Sequence, residues 1–194
     1  MKYEIHITVD LPSKEKIKEF EDKCKELYCK PLVIELPNGN HTVQPMLSKV
    51  IDFDLMEDMK IYVRGLNNAL KDSGFKVSRS KIEIPLFEFN ALREDYPLFE
   101  HKYFEYHTKV RFSDTDIKEL EDYCKSKDSH LSRNSLRGEE NVRFVTVRSY
   151  SDIDDFLGKV DSLIKDMPAK FKIIKHQFEC CIFDNNIDLD KGWI

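Results

Sequence analysis

Two short stretches carry residues that could do chemistry: Glu4-Ile5-His6 in "KYEIHITVD" and Glu105-Tyr106-His107 in "KYFEYHTKV". An imidazole beside a carboxylate is a pairing used in both acid–base catalysis and divalent metal binding. In a strand, residues two apart share a face, so each Glu-x-His pair points one way. Alternation puts Tyr3, Ile5, Ile7 and Val9 on one face and Glu4, His6 and Thr8 on the other. The second stretch repeats this, with Phe104, Tyr106, Thr108 and Val110 opposite Glu105, His107 and Lys109. Further along, Ile82 and Ile84 leave Arg79, Lys81 and Glu83 on a polar face, and Lys175, Gln177 and Glu179 form another. Arg148 shares its face with Thr146 and Gln44, and its guanidinium suits a carboxylate or phosphate.

From these residue types we expect His6, His107, Glu4 and Glu105 as acid–base groups and His6, Glu83, His107 and Glu179 as ligands of a divalent metal ion. Arg148, Lys81 and Lys109 would hold a small charged molecule. The alternative is a set of solvated stripes, in which cross-strand Glu–Lys and Glu–His pairs contribute only a few tenths of a kcal/mol each.

Several elements must position such groups. "IKEFEDKCK" from Ile17 and "IKELEDYCK" from Ile117 agree at seven of nine positions, each preceded by a serine, Ser13 or Ser113, suited to cap a helix. "FKVSRSKIEIPLFEFN" from Phe75 aligns with "FKIIKHQFECCIFDNN" from Phe171, pairing Glu83 with Glu179. The periodicities predict strand, helix, strand, strand, helix, strand, twice over. The expected fold is therefore α+β, a tandem duplication of two ferredoxin-like βαββαβ units related by a pseudo-twofold, with their open sheet faces turned toward each other. The units would span residues 1–98 and 99–194, joined through "ALREDYPLFEHK", with a short C-terminal stretch whose Trp193 packs back on the body.

The chain has 194 residues, 41% hydrophobic and 35% charged, which is enough to bury a core. Its 31 basic and 36 acidic side chains leave a net charge of −5 in mixed runs, so duplex nucleic acid is not an expected partner. No apolar run approaches the ~20 residues of a membrane helix, and Met1 leads straight into a strand pattern; the expected location is the cytoplasm. Five cysteines without metal-ligand spacing predict reduced thiols. There is no phosphate-binding glycine loop and no Cys-x-x-Cys pair.

Two enzyme families share parts of this pattern. The paired His and Glu resemble the vicinal oxygen chelate enzymes, whose paired modules each lend a first-strand His or Gln and a last-strand Glu to one metal. That resemblance implies His6, Glu83, His107 and Glu179 as the ligand set. The family's module has one helix followed by three strands, whereas each unit here reads with two helices. "HIT" at His6 to Thr8 and "HLS" at His130 to Ser132 resemble the His-x-Thr/Ser motifs of 2H phosphoesterases, which would imply acid–base action on a nucleotide or RNA phosphodiester. His130 follows its helix where His6 precedes its own, and Phe144 stands where a catalytic His would be wanted. A non-catalytic ligand- or protein-binding module is the remaining expectation.

Overall fold

A computed structural model describes residues 1–11, 13, 15–95 and 102–194. Among the described residues, eight strands carry the chain: β1 (Lys2–Asp10), β2 (Lys30–Glu35), β3 (Val43–Asp52), β4 (Lys76–Pro85), β5 (Tyr103–Arg111), β6 (His130–Asn134), β7 (Val142–Ser149) and β8 (Lys172–Asp184). Five helices among the same residues connect them: α1 (Lys16–Glu26), α2 (Met56–Asp72), α3 (Leu86–Asp95), α4 (Ile117–Ser126) and α5 (Ile153–Lys165). All neighbouring strands pair antiparallel, in the closed order β1-β3-β2-β6-β7-β5-β8-β4.

This overturns the expectation of two ferredoxin-like units with separate open sheets. β4 pairs with β8 and β2 with β6, so strands from both halves form one eight-stranded barrel, and the reading of the chain as a duplicated ferredoxin-like pair goes with the open sheets. The physical reason lies at the edges. An open sheet presents unpaired N–H and C=O groups, and barrel closure removes them. The expected boundary near Phe99 lies outside the described residues.

Alternation then separates two environments. Tyr3, Ile5, Ile7, Val9, Ile82, Ile84, Phe104, Tyr106, Val110, Val145 and Val147 are buried against the helices on the outside of the barrel. Helix residues Phe20, Met59, Leu66, Leu120, Phe156 and Leu163 complete that layer. Each such side chain contributes about 1.5–3 kcal/mol on burial. The opposite faces turn inward and fill the barrel with polar groups: Arg79, Lys81, Glu83, Glu105, Thr146, Arg148 and Glu179 are all buried.

Two local expectations change. Ser13 and Ser113 do not cap with their hydroxyls; their backbone carbonyls accept from Lys16 and Asp116, and the helices begin a turn later. "LF" after Pro85, which alternation extends as strand, instead opens α3, which occupies part of the expected linker. All five cysteines are free and buried. Burial pushes the Cys24 thiol up to about 12, Cys124 to about 11 and Cys181 to about 12. A disulfide reagent is therefore expected to find no fast-reacting thiol in the native protein and five after denaturation; three or one after denaturation would contradict free thiols.

Candidate functional site

The register brings the predicted residues into one row of contacts. Glu4 lies opposite Glu83 and His6 opposite Lys81, because β1 and β4 are neighbours. Glu105 lies opposite both Glu179 and Arg148, and His107 opposite Thr146, because β5 sits between β8 and β7. The β4–β8 pairing joins the two sets.

His6 Nε2 stands 3.2 Å from Glu83 Oε2 and 3.5 Å from Glu4 Oε1. Lys81 Nζ bridges the halves, 2.8 Å from Glu83 Oε1 and 2.7 Å from Glu105 Oε2. His107 Nε2 is 3.2 Å from Glu105 Oε2 and 3.7 Å from Glu179 Oε2, while its Nδ1 is 2.9 Å from the Thr146 hydroxyl. Arg148 Nε donates to Glu105 Oε1 at 2.7 Å. The approaches to Glu83 are close but poorly aligned, so neither of its oxygens, nor His6 Nδ1, has a hydrogen-bond partner among the described residues. Glu83 is only 1% exposed, and a buried carboxylate left this way is uncommon.

Burial sets the protonation of these groups against their neighbours. Burial would push Glu105 up, but Arg148, Lys81 and His107 outweigh it and hold the carboxyl well below the ordinary range. Burial would strip Lys81 of its proton, but Glu105 and Glu83 keep its pKa above that of a free lysine. Glu179 goes the other way. Burial, with Glu83 and Glu4 nearby, raises it well above the ordinary carboxyl value. Glu4 is also pushed up by burial, yet His6, a hydrogen bond with Glu179, His107 and Lys81 bring it below the usual value. Two neighbouring carboxyls with opposite shifts are the pattern of one proton held by a pair.

A cleft of about 680 Å³ reaches this pair. Glu4, Glu179, His176, Gln177 and Lys2 line it together with Val50, Pro85, Leu86, Phe87, Leu157 and Phe178. A groove of similar size, about 600 Å³, lies against α2 and the outer side of β4 and β8 and is lined by none of these acid–base groups.

The predicted metal set does not gather as such. Among the described residues, the donor atoms that come within 4.8 Å of one another are those of Glu83, Glu105 and His107, with the Lys81 ammonium in contact with both carboxylates. Lys109 is not part of the row; it forms an ion pair with exposed Glu139. His130 lies opposite Thr146 but packs edge-on against Trp193, ring centroids 5.6 Å apart.

Four residues that sequence reasoning left out of the site complete the interior. Arg79 Nε donates to Asp184 Oδ1 at 3.0 Å and its Nη1 to Asp190 Oδ2 at 2.9 Å. The Tyr103 hydroxyl donates to Asp184 at 2.6 Å. Arg79 lay on the polar face already read from alternation, so an unassigned arginine was the available signal; Asp184 and Asp190 lie at and beyond the end of a strand, where period carries no information.

No family model matches the chain, and no curated protein matches it. Among solved structures, one described as chlorite dismutase from Candidatus Nitrospira defluvii in complex with imidazole matches over 97% of this chain and 94% of its own, at 9% identity and a TM-score of 0.34. A likeness that weak transfers neither activity nor ligand, so the functional reading rests on the interior of the barrel.

Proposed function

We propose that the protein binds a small molecule in the cleft over Glu4 and Glu179 and moves a proton on it. The carrying observation is that pair: two carboxyls at the lining of one cleft, Glu179 pushed well above the ordinary carboxyl value by burial and Glu4 held below it by His6. Glu4 takes a proton from the ligand while Glu179 supplies one, so the pair ends with its proton exchanged and the ligand's proton moved. His6 and His107 orient the two carboxyls and face Glu83 and Glu105 on their other side. The apolar walls suit a hydrophobic body, and the Glu4 carboxylate suits a cationic or proton-donating head.

This reading makes a binding prediction. Benzylamine is expected to raise the melting temperature, benzoate to do so much less, and Glu4→Gln to abolish the benzylamine shift. Equal shifts with both probes, or an unchanged shift in Glu4→Gln, would contradict it. Once a substrate is found, Glu4→Gln and Glu179→Gln should each slow turnover by about 10²–10⁴.

A second reading, a divalent metal ion, is favoured by the convergence of Glu83, Glu105 and His107. Carboxylate and imidazole donors suit such an ion. It would have to displace the Lys81 ammonium, which is in contact with both carboxylates.

A further inference from the structure

After β8 the chain turns back through a 3-10 turn, Ile187–Asp190, and sends Asp190 into the barrel mouth. Its Oδ2 accepts from Arg79 Nη1 at 2.9 Å and from Arg148 Nη2 at 2.7 Å, and its Oδ1 accepts from Gln44 Nε2 at 3.1 Å. The three donors come from β4, β7 and β3, and all three residues are at most 7% exposed. Two guanidiniums and an amide set on rigid strands around one carboxylate are a built receptor for that group.

The group that fills it stands on a much lighter element. Segment 185–194 has no helix beyond the four-residue turn. Asn185 and Asn186 bond back to Ser80 and Ser78 of β4 and continue the edge of the barrel. Beyond them, 187–194 is fastened by Asn38 Nδ2 to the Gly192 carbonyl at 2.7 Å, Asn40 N to the Lys191 carbonyl at 3.2 Å and Trp193 Nε1 to the Leu131 carbonyl at 2.9 Å, with Leu189 and Trp193 buried. Gly192 allows the close crossing: its φ is +84°, and a Cβ there would lie 3.3 Å from Gly39 Cα. A short segment outside the ladders, held by a few bonds, opens before strands do.

We infer that Arg79, Arg148 and Gln44 form a binding site for a small carboxylate, filled in cis by Asp190 and open to a free carboxylate when segment 187–194 lifts. The inference stands apart from the Glu4–Glu179 reading, since neither residue takes part. Occupancy is also felt deeper in the barrel, because Arg148 Nε holds Glu105.

The test uses the full chain with acetate as probe and chloride at equal ionic strength as control. Asp190→Ala leaves two buried guanidiniums short of a partner and is expected to lower the melting temperature by about 6–20 °C. Acetate should restore part of that loss saturably. Should Asp190→Ala fail to fold, Asp190→Asn keeps the shape of the side chain and is read the same way. In the unaltered chain, acetate should accelerate hydrogen exchange of the 187–194 amides by competing with Asp190. Recovery specific to acetate together with faster exchange is the expected result. Recovery equal in chloride, or exchange that acetate leaves unchanged, overturns the inference.

Discussion

Lys81→Met is expected to destabilise the protein by about 3–5 kcal/mol and to make what stability remains respond to divalent cations. Lys81 is 8% exposed and is the positive charge in contact with both Glu83 and Glu105. Methionine keeps much of the volume but leaves two buried carboxylates facing each other. Arg148 still balances Glu105, whereas Glu83 keeps, among the described residues, the His6 contact. Glu83, Glu105 and His107 then form an oxygen-rich donor set with a vacated position among them, and Mn²⁺ should raise the melting temperature of the variant far more than that of the native chain. Urea unfolding with and without Mn²⁺ measures both effects. A variant as stable as the native protein would show that Lys81 contributes little to holding the carboxylates. A native chain that responds to Mn²⁺ as strongly as the variant would favour the metal reading.

Glu179→Gln should change the pH dependence of stability in the opposite sense to loss of an ion-paired carboxylate. Glu179 has its folded pKa raised, so its contribution is fully present below the unfolded value of about 4.3 and is lost as pH rises through the folded pKa. Glu4, Glu105, Asp184 and Asp190 have lowered pKa values, so their contributions are present above their unfolded values and are lost on acidification. Glutamine removes the first effect, and the accompanying shift of Glu4 toward its ordinary value acts on the acid side of pH 5. The variant should therefore gain on the native protein between pH 5 and pH 8, by about 1.4 kcal/mol for each pH unit of that window that lies below the folded pKa of Glu179. Urea unfolding at both pH values measures this. A stability difference that stays flat, or that favours the native protein more at pH 8, would contradict the assignment of the acid form to Glu179.

Much of this interior was legible in single strands. Period-two alternation separates Ile5 and Ile7 from Glu4 and His6, and a one-residue slip would have turned the apolar face away from the helices. The same logic placed Lys81, Glu83, Glu105, His107, Arg148 and Glu179 on polar faces that the structure turns inward. Closure was not legible. The pairings β4–β8 and β2–β6 join segments about a hundred residues apart, and alternation says which way a side chain points without saying which strand lies beside it. α3 was hidden because "PLFEF" alternates as a strand does, although Pro85 ends the ladder and Leu86 begins a helix. Lys109 sits on the expected face but near the strand end, where exposed Glu139 takes it. Asp190 was hidden because a four-residue turn is too short to show a period; its partners, Arg79 and Arg148, were visible only as cations with no assigned acid.

In the proposed function, Glu4 and Glu179 hold one proton between them at the cleft. Carboxyl ¹³C NMR of the native protein tests it directly, following both side chains through a pH titration with Glu4→Gln and Glu179→Gln for assignment. The pair is expected to titrate in two separated steps, one below and one well above the ~4.3 of a free glutamate, and removal of either carboxyl is expected to shift the other toward that value. Two carboxyls titrating together in the ordinary range, each indifferent to loss of the other, would contradict it.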